Sequence, residues 1–104
     1  MSNYHKDVVF RSLKAQALFG RGELIGHHEL HRYWAKALER QPDLKFQVQE
    51  VFQGYQMMAL SYRNQNNVFA TETLYFNAEG LVFRAAACHQ TPQREAYKRH
   101  TSEQ

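Results

Sequence analysis

Short apolar runs recur at residues 8–10, 44–52, 57–62, 68–76 and 81–88, and a stretch of different period lies between the first two. In that stretch the apolar positions are Leu30, Tyr33, Trp34, Ala37 and Leu38. This is the i, i+3, i+4, i+7, i+8 stripe of an amphipathic helix over residues 27–40, with one buried face that carries Trp34. Pro42 disfavours helical geometry at Gln41, so the helix is expected to stop near Arg40. Residues 7–12 form a β-branched and aromatic run that reads as a strand. Residues 13–26 are punctuated by Gly20, Gly22 and Gly26, and we read them as an irregular, partly extended connection.

After the helix the period changes to two. Leu44, Phe46 and Val48 alternate with Lys45, Gln47 and Gln49, and Val51 then falls on the opposite parity, which predicts a bulge or a change of exposed face near Glu50. Gly54 marks a turn into a strand over 57–63, and the polar residues 64–67 lead to a strand over 68–76. Asn77, Ala78, Glu79 and Gly80 turn into a last strand over 81–89. Four consecutive strands joined by short turns imply an antiparallel meander. The order therefore predicts an α+β fold in which a curved antiparallel sheet wraps around a helix and encloses a pocket. Residues 1–90 make one domain on this reading. Residues 91–104 are almost wholly polar and are expected to form a disordered tail.

A length of 104 residues leaves no room for a second domain. Seven Phe, six Tyr and one Trp supply material for a core, since each buries on the order of 150–250 Å². The net charge is +3, from 13 basic and 10 acidic residues interleaved along the chain. That scatter argues against nucleic acid as a partner. Cys88 is the single cysteine, which excludes an intrachain disulfide and fits a reducing cytoplasm. No segment approaches roughly 18 continuous apolar residues and the first residues carry no apolar signal region, so neither membrane spanning nor export is expected.

The run from Gly26 through His27, His28, Glu29, Leu30, His31, Arg32 and Tyr33 to Trp34, followed by Gln41, Pro42, Asp43, Leu44, Lys45 and Phe46, resembles the helix-and-strand signature of SnoaL-like proteins in the nuclear transport factor 2-like superfamily. Residues 7–12 resemble that family's first strand, and residues 71–82 its hairpin of acidic strand, turn glycine and final strand. The resemblance covers residues 4–89. It implies a cone-shaped, cystatin-like α+β fold holding a small-molecule cavity. Relatives carry one or two helices before the first strand, whereas here six residues precede Asp7. The expectation is an open cone whose exposed apolar sheet is buried in a homodimer, either through the outer face of the long strands or by residues 1–6 and the 13–26 connection reaching into a partner's open cone.

The resemblance also frames the candidate chemistry. In the steroid-isomerase branch a carboxylate near the end of the first strand moves a proton, while a tyrosine and a second acid polarise the substrate oxygen. Ser12 aligns with that base, and an alcohol is a poor proton acceptor, so isomerase chemistry of that kind is disfavoured and enzymatic activity is left open. Glu72 aligns with the oxyanion-side acid. It shares parity with Ala70, Leu74 and Phe76, so either it points into an apolar cavity as a neutral donor, or it pairs with Arg84 or Arg63 across the sheet. Tyr33, Trp34, Phe46, Tyr62 and Leu74, with Ser12, are the expected ligand-binding residues. Parity does not decide which of Met57 and Met58 faces inward.

His27 and His31 stand at an i, i+4 spacing that two zinc ligands can use, but 28–31 lacks one residue of the zinc-protease pattern and no second cluster supplies a third ligand. No metal or cofactor is therefore expected. Cys88 and His89, at the end of the last strand, either lie at a cavity mouth or, the preferred reading, are a core thiol beside a surface histidine. The functional expectation is a binder of an apolar small molecule, related to cyclases or isomerases. The alternative is a non-catalytic dimerising or interaction module.

Overall fold

The structure, a computed structural model, describes residues 3–91. Its elements are β1 (Tyr4–Arg11), α1 (Leu13–Phe19), β2 (Glu23–Ile25), α2 (Gly26–Arg40), β3 (Phe46–Gly54), β4 (Met57–Asn64), β5 (Phe69–Phe76) and β6 (Val82–His89). Of the expected disordered tail, residues 91–104, all but Thr91 lies outside the described residues.

The six strands form one curved sheet in the order β2-β1-β6-β5-β4-β3. Strands β3 to β6 make the antiparallel meander that the turns predict. The β3–β4 register slips between Val48 and Glu50, where the change of parity predicts a bulge. The sheet as a whole is mixed rather than antiparallel, because β6 returns to the free side of β1 and runs parallel to it, with Phe10 beside Ala85 and Arg11 beside Ala86. That pairing joins the two ends of the chain, and no local turn encodes it.

The connection over residues 13–26 is ordered, which corrects the reading of it as irregular. Ser12 caps a seven-residue helix, its Oγ accepting from the N–H groups of Lys14 and Ala15 at 3.1 and 3.4 Å. Gly20 ends that helix in the left-handed conformation at φ 76°. The short strand β2 then pairs antiparallel with β1. Gly26, at φ 87°, turns the chain from β2 directly into α2, and a Cβ there would stand 3.4 Å from the Lys6 carbonyl. Two helices rather than one therefore lie on the sheet.

The core is built where helices meet strands. Leu30 and Tyr33 of α2 pack with Val8 and Phe10 of β1, Leu24 of β2, Ala15 of α1, and Val82 and Ala85 of β6. Trp34 does not join them: it is 37% exposed, because the helix turns Leu30, Tyr33 and Ala37 inward and leaves Trp34 and Leu38 at the edge of the stripe. The helices pack on β1, β2 and β6. Strands β4 and β5 are half-buried along most of their length, and the edge strand β3 is exposed at every position. No helix among the described residues is long and apolar enough to cross a membrane.

Candidate functional site

Between the exposed edge of α2 and the concave face of the sheet lies a concavity of about 420 Å³, within the size range of small-molecule sites. Register decides its floor. Leu60 pairs with Glu72 and Glu72 with Ala87, while Tyr62 pairs with Ala70 and Ala70 with His89, so these six side chains share one face. Val48 opposes Tyr62 and extends the face to β3. Trp34, Ala37 and Leu38 of α2, with Tyr4 of β1, form the opposite wall. Ring pairs hold both walls: Tyr4 meets Trp34 edge-on at 5.7 Å, and Phe46 meets Tyr62 edge-on at 4.9 Å between centroids. Phe10 stacks obliquely on Tyr33 at 5.5 Å at the deep end.

The expected site residues divide accordingly. Glu72, Tyr33, Trp34, Phe46 and Tyr62 all line the concavity. Leu74 shares the Glu72 face but packs against the core, one row further toward Val82 and Ala85. Ser12 is not among the lining residues: it is 5% exposed and its hydroxyl is committed to capping α1. A serine there is a structural cap, so the base position of the isomerase comparison holds no base.

Among the described residues Glu72 makes no ion pair, and neither Arg63 nor Arg84 is its partner across the sheet. Arg63 instead bonds Gln47 and Asn67, and Arg84 is exposed on the other parity. Burial among apolar groups pushes the Glu72 carboxyl above its ordinary value. Burial also raises the phenols of Tyr4, Tyr33 and Tyr62, and the charge of Glu72 adds to each. For Tyr33 the neighbouring Ser12 hydroxyl acts in the opposite sense. Tyr62 is pushed up to about 12. All three stay protonated donors at neutral pH, grouped around one desolvated carboxyl. Such a group can donate to a carbonyl or hydroxyl oxygen placed above Glu72.

The preferred reading of Cys88 and His89 is inverted. Cys88 pairs with Thr71 on the convex face and is exposed. His89 points into the concavity, and its Nε2 is buried with no hydrogen-bond partner among the described residues. Burial, and then the charge of Lys14, hold the imidazole below its ordinary value. Lys14 reaches the same end from the first turn of α1 and donates to Gln41 Oε1 at 3.3 Å. Both residues were legible in principle: His89 continues the inward parity of Ala85 and Ala87, and Lys14 follows the Ser12 cap. Of the histidines at the α2 start, His27 donates Nε2–H to the Tyr4 carbonyl at 2.8 Å and His31 is exposed. No group of three metal-ligating side chains occurs among the described residues.

The same architecture recurs in solved structures. A SnoaL-like protein of unknown function from Burkholderia thailandensis superposes with a TM-score of 0.80 at 27% identity, covering 86% of this chain and 77% of that one. A proposed isomerase of the SnoaL-like family from Agrobacterium tumefaciens gives 0.71 at 10% identity, covering 86% and 76%. The chain has the fold of the SnoaL-like proteins of the nuclear transport factor 2-like superfamily. A proposed polyketide cyclase from Sinorhizobium meliloti shares the fold at a TM-score of 0.64 and 13% identity, over 84% of this chain and 76% of its own. No protein-family profile and no curated protein sequence matches this chain.

Proposed function

We propose that this chain binds a small, largely apolar, ring-bearing molecule in the concavity between α2 and the sheet. The observation that carries this reading is the unpaired Glu72 carboxyl at the centre of an apolar floor, with three phenols around it. An acid that served only the fold would be paired or solvated, since burying it alone costs several kcal/mol. Trp34, Phe46, Leu60 and Val48 supply flat apolar contact, and Glu72, Tyr33 and Tyr62 fix the orientation of one oxygen on the ligand. A proposed isomerase and a proposed polyketide cyclase share the fold that frames this concavity. The steroid-isomerase route, however, has no base at Ser12. Cys88, exposed and unpaired, suits a reducing compartment such as the cytoplasm.

Mild native mass spectrometry of protein purified from its cellular host tests the reading. An adduct in the mass range of a two- to four-ring compound, lost in Tyr62→Ala, is expected. Wild-type protein that takes up no apolar ring compound, even when these are added in excess, contradicts it.

A second reading rests on β3. Phe46, Val48 and Val51 are 54–56% exposed and lie on the concave side, because the bulge keeps Val48 and Val51 on one face. We propose that a second copy of the chain covers this edge. The contact would be the β3 edge and its concave side, rather than the outer face of the long strands.

A further inference from the structure

The concavity is not polar at its centre alone. Three polar side chains of different elements line it besides Glu72 and the phenols: Lys14 from α1 and His89 from the end of β6, near enough for the Lys14 charge to act on the imidazole, and Asn64 from the end of β4. Two of them are chemically incomplete. Among the described residues no carboxylate lies within ion-pair distance of the Lys14 ammonium, whose one polar contact is the long bond to the neutral Gln41 amide. His89 Nε2 is removed from water and has no hydrogen-bond partner among the described residues. A buried donor or acceptor in a folded protein is nearly always satisfied, so an orphaned nitrogen in the wall of a cavity marks a place where a ligand atom completes the bond.

Glu72 does not supply that atom. It is offset by one register step from His89, which faces Ala70, whereas Glu72 faces Ala87. The charge of Lys14 acts on His89, and the shift at Glu72 comes from burial alone. The cavity thus has a positive end at Lys14 and His89, and a separate acid in its floor.

Resting on the reading of the concavity as a small-molecule site, we propose that the Lys14–His89 end is a subsite for an anionic oxygen. The ligand is therefore an apolar ring system that carries an acidic group, a carboxylate or an acidic enol or phenol, at one end. The rings lie along Tyr62 and Trp34. The anionic oxygen accepts from the Lys14 ammonium and from His89 Nε2–H. A polar group further along the ring system meets Glu72.

A pair of probes that differ in one charge tests this. Binding of 2-naphthoate and of its neutral isostere 2-naphthamide is measured by calorimetry at pH 7.5, for wild type, Lys14→Gln and Lys14→Arg. Lys14 sits at a helix surface and its replacement leaves the core untouched. Wild type is expected to bind naphthoate about tenfold more tightly than the amide, the scale of one charge-assisted hydrogen bond at a partly solvated site. Lys14→Gln is expected to erase the preference and Lys14→Arg to keep it. Equal binding of the two probes, or a preference that survives Lys14→Gln, overturns the anion subsite while leaving the apolar site standing. Failure of both probes to bind overturns the small-molecule reading itself, and the subsite with it.

Discussion

A carboxyl in an apolar floor binds its proton more tightly folded than unfolded, and for Glu72 this sets the sign of a pH effect. Its folded pKa lies above the ordinary value of 4.5. Stability from the protonated form is then complete below that value and is lost as pH rises through the folded pKa. His89 works the other way: its folded pKa lies below 6.5, so its contribution is complete above 6.5 and is lost as pH falls through the folded value. Glu72→Gln removes the first dependence only. Urea unfolding is expected to show the variant gaining on wild type progressively from pH 4 to pH 8, and a constant difference would mean that Glu72 is solvated in the folded state. The inward direction of Glu72 was readable from its parity with Ala70, Leu74 and Phe76, because a strand has only two faces. What parity could not supply was the emptiness of the face: Arg63 and Arg84 stood as open partners until register put them elsewhere. Parity applied to Ala85 and Ala87 would have brought His89 inward as well. The polar stretch that follows His89 gives the opposite signal, that of a surface residue.

At the scale of the element, α2 shows how a correct stripe conceals an unequal division of labour. Leu30 and Tyr33 are buried in the core, whereas Trp34 stands at the margin with one edge against Tyr4 and the other facing the concavity. Leu30→Ala is therefore expected to cost about 2–5 kcal/mol, and Trp34→Ala about 1–2 kcal/mol, since only part of the indole is removed from water. Chemical denaturation of the two variants compares them, and a Trp34 loss equal to or larger than that of Leu30 would mean that α2 is rotated on the sheet. Periodicity located the helix and its end at Arg40, but a 3.6-residue repeat gives a face and not its centre. The seven residues of α1 were too few for periodicity to register. Its termini were nevertheless written in the chain, as a capping serine at 12 and a left-handed glycine at 20. The glycines at 20, 22 and 26 read as irregularity because each was taken as a loop signal, when two of them end or start a helix.

For the molecule as a whole, the four-strand meander followed from its turns, while the parallel β1–β6 pair joins segments about 70 residues apart and leaves no local trace. The same lack of local signal applies to assembly. Val48 is 56% exposed on an edge strand, so Val48→Glu leaves the core intact and charges the surface proposed to meet a second copy. Light scattering is expected to find wild type dimeric and the variant monomeric at the same concentration, and a monomeric wild type would end the second reading. The central claim is that the concavity over Glu72 receives an apolar ring. Its most direct test is a titration of isotope-labelled protein with 2-naphthamide, followed by NMR at the side chains of Trp34, Tyr62 and Glu72. Saturable shifts confined to those residues and their neighbours, with the Glu72 carboxyl moving in step, are the expected result. Shifts that fail to saturate, or that cluster on the convex face around Cys88 and Thr71, would contradict it.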